Sequence, residues 1–292
     1  DYSRIGRWAK EITIVGFVII FAGICLFGEQ VNGVLRWIWL PFLPFTLNVR
    51  LLCYLFVPLY AGIVYHYHGK GYEAIVKCFL WMLPALCIAV KIRSSITGVM
   101  IFLIFLLILS FAGFEGWFAV SAVKMLASVW GGTALLAGIG YFKLFIAGPS
   151  YQFERIRALL GNGEEGYQVQ ILRGVLDGCR FIGSGEGKAA VRAADGLLEG
   201  MDYGLMYIMV SYGILAAVLA IGLVVGVFIY FMIMSGRQRN RLGSIMGFGC
   251  TAAFFVQILF YVMVNMGVVP LGNMYCPFLT YGGTGVLVTN VL

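Results

Sequence analysis

The residues best suited to chemistry lie in one polar segment, residues 148–202, which interrupts a chain of long apolar runs. The segment ends at Asp202, directly before an apolar run. A carboxylate at the edge of a membrane span is costly to desolvate and is by default a candidate functional group. Such a carboxylate could act as a general base that takes a proton from an attacking hydroxyl. The structural alternative is that Asp202 caps the helix that follows it.

A glycine-rich turn in the same segment could bind an anion. It covers residues 182–188, Ile-Gly-Ser-Gly-Glu-Gly-Lys, and glycines let backbone N–H groups approach an anionic group closely. Lys188 and Arg192, together with Arg173 and Arg180, supply charge suited to a group such as a diphosphate. The alternative is a surface loop with ordinary solvated charges, which composition alone favours.

Composition places this segment in a membrane protein. Of the 292 residues, 61% are hydrophobic and 11% are charged, and the mean hydropathy is +0.94. These values exclude a soluble domain. The apolar runs are close to the ~20 residues that a helix needs to cross the hydrocarbon core, and they lack the alternation of membrane strands. The predicted spans are residues 11–27, 47–66, 74–92, 96–113, 125–147, 203–234, 245–268 and 278–292.

The sequence therefore predicts an all-α polytopic membrane protein with about eight transmembrane helices and one large extracellular loop. About five helices fall in residues 1–147, residues 148–202 form the loop, and about three helices fall in residues 203–292.

Lysine and arginine in the short connections predict the orientation of the spans. Every second connection along the chain falls on the same side of the membrane. Most of these basic residues lie in one such set, which is residues 1–10, 67–73, 114–124 and 235–244. The short loops of the other set hold only Arg36, Lys91 and Arg93. Since basic connections stay in the cytoplasm, the first set is predicted to be cytoplasmic and residues 148–202 to face outward. An anionic inner leaflet accounts for the net charge of +7, and no nucleic acid is needed.

The cysteines and histidines favour packing and interfacial roles. Seven cysteines occur without a C-x-x-C pair, and five of them lie in predicted spans, where cysteine packs as a small apolar residue. Cys179 and Cys276 fall on the predicted outer side, which leaves a bridge between them open. His66 and His68 are two residues apart at a helix end and fit an interfacial role better than a metal site. The absence of a P-loop motif argues against ATP-driven transport by this chain.

Seven short motifs, in collinear order over almost the whole chain, resemble those of one family. This is the SEDS family of bacterial membrane proteins, which includes FtsW, RodA and SpoVE. Each motif alone is weak, and their common order is specific. The motifs are residues 32–38 (Asn-Gly-Val-Leu-Arg-Trp-Ile), 83–86 (Leu-Pro-Ala-Leu), 151–156, 166–170, 182–185, 265–270 and 277–284 (Pro-Phe-Leu-Thr-Tyr-Gly-Gly-Thr).

The resemblance implies a fold and a function. Members have ten transmembrane helices, so this chain would begin at the third. That agrees with a polar start at Asp1 without methionine and an end at Leu292 within an apolar run. Members polymerise peptidoglycan glycan strands from lipid II at the outer face of the bacterial plasma membrane. The resemblance leaves open whether the role is in cell division, elongation or sporulation. It also implies a class B penicillin-binding transpeptidase as partner.

The resemblance assigns the general base to Asp202, which stands where the family has its essential aspartate. In the reaction, the 4-hydroxyl of an acceptor GlcNAc attacks C1 of the donor MurNAc while undecaprenyl diphosphate leaves. The charge of the leaving group must be neutralised by cationic side chains or by a divalent cation, Mg²⁺ or Mn²⁺, whose ligands the sequence does not identify. The predicted substrate-binding residues are Arg36, Arg50, Lys188, Arg192, Tyr167, Gln168, Ser95 and Tyr281.

This chain departs from the family pattern at several polar positions, most of them acidic. The replacements are Gly200-Met201 for His-Thr before the aspartate, Ser95 for the aspartate of PDLGT, Thr46 or Leu47 at the glutamate of SExxK with Arg50 at its lysine, and Val210-Ser211 for the acidic pair of the eighth helix. Losing carboxylates changes both the metal affinity of a site and the pKa of the acid that remains. The alternative function is therefore a catalytically silent scaffold that binds a transpeptidase. A lipid-linked sugar transporter is a third, which the scarcity of charges deep in the spans disfavours.

Overall fold

The computed structural model describes residues 2–31, 34–39, 46–146, 174–183, 203–268, 274–280 and 282–292. The helices are α1 (Tyr2–Arg7), α2 (Ala9–Phe27), α3 (Val49–Leu52), α4 (Phe56–His66), α5 (Tyr72–Leu80), α6 (Leu83–Lys91), α7 (Ser95–Phe114), α8 (Ala122–Ile146), α9 (Gly204–Tyr212), α10 (Ile214–Gly236), α11 (Arg241–Asn265) and α12 (Gly283–Val291). A 3₁₀ turn, Cys53–Leu55, joins α3 to α4.

Within the described ranges, six helical stretches are long and apolar enough to cross a membrane. They are Ala9–Phe27, Val49–His66, Tyr72–Lys91, Ser95–Phe114, Ile214–Gly236 and Arg241–Asn265. Helix α8, with 25 residues, occupies the predicted span at 125–147. Most of the apolar side chains of α2 and α10 point away from the protein core, as lipid-facing helices require. The prediction of an α-helical polytopic membrane protein is confirmed.

Several predicted spans differ in detail from the helices that form. The 74–92 run bends at Trp81 and Met82, between α5 and α6, because Pro84 in the first turn of α6 has no N–H to continue the preceding helix. The 203–234 run is broken at Gly213. In the 278–292 run, the helix begins only at Gly283.

A small antiparallel sheet, which the sequence did not predict, lies between α2 and α3. Its strands are β1 (Gly28–Val31), β2 (Val34–Ile38) and β3 (Leu47–Asn48), in that order across the sheet. Glu29 pairs with Trp37 and Gln30 with Leu35, so Arg36 is the extra residue of a β-bulge. The strands are too short to give an alternation that stands out beside the long apolar runs, which is why the sheet was missed.

The described residues fall into two compact units. The first comprises Asp1–Trp130, Phe228–Val256 and Gly282–Leu292, and the second comprises Gly131–Val227 and Gln257–Tyr281.

Small residues allow the helices of the first unit to pack closely. A Cβ atom at Gly62 of α4 would lie 3.0 Å from the Cβ of Ala9, and one at Gly249 of α11 would lie 2.9 Å from the Cδ1 of Ile108. Beside these positions, the Phe111 and Phe248 rings stack with centroids 4.2 Å apart. Close approach of backbones at small residues is the usual packing of membrane helices.

The four basic connections lie together in the first unit. The backbone N of Gly69 donates to Trp117 O at 2.8 Å, which joins the 67–73 and 114–124 connections. Arg241 Nη1 lies 2.9 Å from His68 Nε2, and Lys10 Nζ lies 4.4 Å from the centroid of the Tyr67 ring. The charge pattern therefore grouped these connections correctly on one face.

Candidate functional site

The structure places some of the predicted site residues and not others. Arg50 and Ser95 are described fully, and Arg36 is described in its backbone. The other predicted residues lie outside the described ranges and stay predictions: Asp202, Tyr167, Gln168, Lys188, Arg192 and Tyr281.

In the first unit, a single buried hydroxyl joins two of the family-like segments. Thr284, in the first turn of α12, donates from Oγ1 to Thr46 O at 3.1 Å and accepts from the backbone N of Asn48 at 3.0 Å. The side chain of Thr284 is 3% exposed. We call Thr46, Asn48 and Thr284 the threonine junction. It fixes the end of the 277–284 motif against the segment that carries Arg50.

The threonine junction also positions the predicted cationic residues. Asn48 caps α3, because its Oδ1 accepts from the backbone N of Arg50 at 3.1 Å. On its other side, Asn48 pairs with Trp37 of β2, the residue after Arg36. The sheet therefore joins the two segments that carry Arg36 and Arg50, as two groups that neutralise one anion would require.

At the start of α7, the predicted substrate-binding residue Ser95 follows a buried hydroxyl, that of Ser94. Ser95 is exposed, whereas Ser94 is 5% exposed and its Oγ lies 2.7 Å from Thr97 Oγ1. Two neutral hydroxyls that bond each other avoid the cost of burying a charge. The start of α7 thus carries a neutral buried pair next to Ser95, the residue that the sequence analysis placed at the aspartate of the family pattern.

In the second unit, side chains of α11 hold the start of α9, the helix that follows Asp202 in sequence. The backbone N of Leu205 donates to the Tyr261 hydroxyl at 3.0 Å, and that of Met206 donates to Asn265 Oδ1 at 3.2 Å. The Asn265 amide donates in turn to Tyr261 O at 2.9 Å. We call Tyr261 and Asn265 the cap pair. With Tyr203 as the N-cap residue, Leu205 and Met206 occupy the positions whose N–H groups a capping side chain normally binds.

A compact turn packs beside the start of α9. A Cβ atom at Gly204 would lie 3.3 Å from the Tyr261 hydroxyl and 3.8 Å from Leu279 O, so this backbone approach favours glycine. The turn is closed by Thr280, whose Oγ1 donates to Cys276 O at 2.7 Å and accepts from the backbone N of Cys276. The first residues of the 277–284 motif thus form a hydrogen-bonded turn that packs against the start of α9.

The cysteines on the predicted outer side are free thiols. Cys179 donates to Val175 O at 3.3 Å and Cys276 to Pro277 O at 3.7 Å, so the bridge that the sequence left open is not formed. Cys276 is fully buried, and this burial raises the pKa of its thiol to about 12. Partial burial also raises the pKa of Cys179. Such thiols pack and do not react readily.

The residues around the helix break at Gly213 form backbone hydrogen bonds with residues 180–183, which include the start of the glycine-rich turn. Ile214 N donates to Arg180 O at 3.0 Å, Leu215 N donates to Phe181 O at 3.1 Å, and Gly183 N donates to Tyr212 O at 3.1 Å. Residues 180–183 therefore supply the bonds that the interrupted helix cannot make. The rest of the predicted anion-binding turn lies outside the described residues.

Sequence reasoning did not single out the cap pair or the threonine junction as site residues. A signal was present for the cap pair, because Tyr261 and Asn265 are polar residues four positions apart, and so on one face, of an otherwise apolar helix. No comparable signal marks Asn48 as a partner of Thr284.

No metal centre is apparent in the part of the chain that the structure describes, since no three histidine, cysteine or carboxylate side chains there are placed to hold an ion. The described residues thus offer no ligand set for the divalent cation that the sequence analysis considered.

Comparison with known proteins identifies relatives over the whole chain. The FtsW/RodA/SpoVE family model, described as cell cycle protein, matches residues 1–292. An FtsW-named protein of Mesostigma viride is 26% identical over 288 residues, which are 93% of this chain and 64% of the relative. "Probable peptidoglycan glycosyltransferase FtsW" of Aliivibrio salmonicida is 25% identical over 306 residues, covering 99% of this chain and 72% of the relative. This chain therefore spans roughly two thirds of the length of these relatives.

Solved structures share the fold. A chain of a peptidoglycan synthase complex, studied for how polymerization and crosslinking are coordinated, matches with a TM-score of 0.77 at 15% identity, over 98% of this chain and 79% of that chain. The rod shape determining protein RodA of Thermus thermophilus matches with a TM-score of 0.62 at 14% identity, over 99% and 76%. The fold and the match over residues 1–292 together show that this chain belongs to the FtsW/RodA/SpoVE family of cell cycle proteins.

Proposed function

We propose that this protein is a peptidoglycan glycosyltransferase that polymerises glycan strands from lipid II in the bacterial plasma membrane, with residues 148–202 facing outward. Family membership and relatives named as peptidoglycan glycosyltransferases support the proposal. The observation that carries it is the cap pair. Because Tyr261 and Asn265 bind the amides of Leu205 and Met206, these two amides need no cap from Asp202, which supports the catalytic interpretation of Asp202 over the capping one.

In the proposed reaction, the 4-hydroxyl of the acceptor GlcNAc attacks C1 of the donor MurNAc. The new C1–O bond forms as the bond from C1 to the diphosphate oxygen breaks, and undecaprenyl diphosphate leaves with the electron pair. Asp202 takes the hydroxyl proton as general base. The lipid chains of the substrates can reach such a site sideways through the bilayer, so no soluble glycosyltransferase fold is required.

Cationic side chains stabilise the departing diphosphate in this proposal. Arg36 and Arg50, which the sheet and the threonine junction bring to one corner of the first unit, act with Lys188 and Arg192 of the outer segment. Tyr167, Gln168, Ser95 and Tyr281 complete the substrate contacts in this proposal. A divalent cation, when bound, would supply further neutralisation, and the described residues assign it no ligands.

We further propose that a class B penicillin-binding transpeptidase is the partner, which would crosslink the strands as they form. The fold match to a chain of a peptidoglycan synthase complex motivates this partner. Co-purification of the two proteins from membranes tests it.

The second candidate function is a catalytically silent scaffold for such a transpeptidase. The start of α7 favours it, because Ser95 replaces the aspartate of the family pattern and is exposed, and the neighbouring buried hydroxyls of Ser94 and Thr97 bond each other at 2.7 Å. A scaffold would keep the fold and the partner surface and lose polymerisation.

Polymerisation of labelled lipid II by the purified full-length protein, with and without the transpeptidase and Mg²⁺ or Mn²⁺, tests the two candidates. Replacing a general base lowers the rate by about 10²–10⁴-fold, so D202A is expected to make almost no glycan. The matched control is D177A, which removes an exposed aspartate of the same outer segment and should retain the parent rate. Glycan from D202A at the parent rate would refute the catalytic role. No glycan from the parent, with a stable transpeptidase complex, would favour the scaffold.

A further inference from the structure

We infer that Tyr261 and Asn265, the cap pair, are positioning residues for the proposed reaction. They hold the start of α9 with neutral acceptors and so leave the carboxylate of Asp202 available to accept a proton. The inference rests on the proposed function for its catalytic consequence, whereas the holding of α9 stands on the contacts themselves.

Burial makes the cap pair necessary for α9. Both side chains are 0% exposed, and the amides of Leu205 and Met206 that they bind are also buried. A helix start leaves its first N–H groups without partners inside the helix, and an unsatisfied amide in a membrane environment costs several kcal/mol. Without the cap pair, these amides are left unsatisfied or bind a less well placed acceptor, and either outcome weakens the first turn of α9.

The nearest acceptor along the chain would be Asp202, which precedes α9 by one residue, Tyr203. A carboxylate that accepts two or three backbone N–H bonds has a strongly lowered pKa. Such a carboxylate is a poor base, because the hydrogen bonds from the helix start stabilise its ionised form and so weaken its tendency to accept a proton. Neutral acceptors at Tyr261 and Asn265 remove this competition.

The geometry of the cap pair also fixes which atom of each side chain faces α9. Asn265 Nδ2 donates to Tyr261 O at 2.9 Å, one turn back along α11. This bond orients the amide so that Oδ1 is the atom that faces Met206 N. The first turn of α9 is thereby held by side chains of the 25-residue helix α11.

The test uses variants that remove only the acceptor atoms. Tyr261→Phe deletes the hydroxyl, and Asn265→Leu replaces the amide by an apolar group of similar size. The matched control is Tyr60→Phe, because the Tyr60 hydroxyl is buried without a hydrogen-bond partner among the described residues.

In lipid II polymerisation by the full chain, we expect kcat to fall about tenfold or more in Tyr261→Phe and Asn265→Leu, with KM within about twofold of the parent. Tyr60→Phe should retain kcat within about threefold. A general loss of folded protein would lower the active fraction in all unstable variants and would not follow the presence of the acceptor oxygen. Parent-like kcat in both Tyr261→Phe and Asn265→Leu would overturn the inference.

Amide hydrogen exchange of peptides over residues 203–209 provides a second measurement that does not need activity. Exchange should accelerate in Tyr261→Phe and Asn265→Leu and stay unchanged in D202A. Acceleration in D202A as large as in Asn265→Leu would show that the carboxylate is itself the cap, which would overturn the inference. A parent that makes no glycan would instead refute the proposed function, and the exchange data would still decide which groups hold α9.

Discussion

Replacing Gly213 by alanine should detach the 180–183 segment from the break between α9 and α10. Gly213 has φ +97° and ψ 166°, a backbone conformation that only glycine adopts readily. A Cβ atom there would lie 2.9 Å from Phe181 O and 3.0 Å from both Gly183 N and the Cα of Ile182. All three are backbone atoms, so no side-chain rotation can relieve the overlap.

The size of the effect follows from the bonds that the overlap opposes. Backbone strain at such a position costs about 1–3 kcal/mol. If the segment moves away to relieve the overlap, the three backbone hydrogen bonds between residues 180–183 and 212–215 are lost, each worth about 1 kcal/mol. We therefore expect local stability to fall by about 3 kcal/mol, which is about a hundredfold increase in the opening equilibrium.

Amide hydrogen exchange of peptides that contain Ile214 and Leu215, measured in nanodiscs, reports this opening directly. Exchange in Gly213→Ala should be about a hundredfold faster than in the parent. Gly226→Ala in the same helix α10 is the matched control, because apart from the adjoining helix backbone no atom lies within 4 Å of its Cβ position and alanine favours a helix interior. Equal protection in Gly213→Ala and the parent, or equal loss in both variants, would refute the reasoning.

Two further predictions concern the threonine junction and Cys276. Thr284→Val removes the bonds to Thr46 O and Asn48 N and should lower the free energy of unfolding by about 1–3 kcal/mol, measured by thermal unfolding in detergent. Thr284→Ser should stay close to the parent, and equal midpoints for the two variants would contradict the role of the hydroxyl. Because burial raises the Cys276 thiol pKa from 9.0 to about 12, the protonated thiol favours the folded state; this contribution is complete below pH 9 and is lost as the pH rises toward 12. Relative to Cys276→Ala, the parent should therefore lose about 1.4 kcal/mol of stability between pH 8 and pH 10, and identical pH profiles would show that this thiol does not contribute.

Much of the fold could be predicted from the sequence, because hydropathy and charge act locally. The apolar runs between residues 11 and 113 correspond to helical stretches long enough to span a membrane, and the four basic connections lie together as the charge pattern indicated. The break at Gly213 was missed because one glycine hardly alters the hydropathy of the 203–234 run. The β1–β3 sheet was missed because its strands are short.

The candidate site could be predicted only in part. The resemblance pointed to Asp202, Arg50 and the 277–284 motif, and the structure describes Arg50 and most of that motif. The sequence could not indicate which of the two neighbouring serines, Ser94 or Ser95, has its hydroxyl buried, since both stand at the same helix start. That choice depends on which side chain faces the protein core.

The sequence by itself determined the membrane class, the helical runs, the grouping of the basic connections and the resemblance to a family. These depend on composition, local periodicity and motif order, which can be read from the linear sequence before the chain folds. Only the tertiary structure decided that Thr284 bonds Asn48, 236 positions away, and that Tyr261 and Asn265 hold the start of α9. Such bonds form when packing buries two distant polar groups together and each must be satisfied by the other, a condition that no local pattern in one sequence encodes.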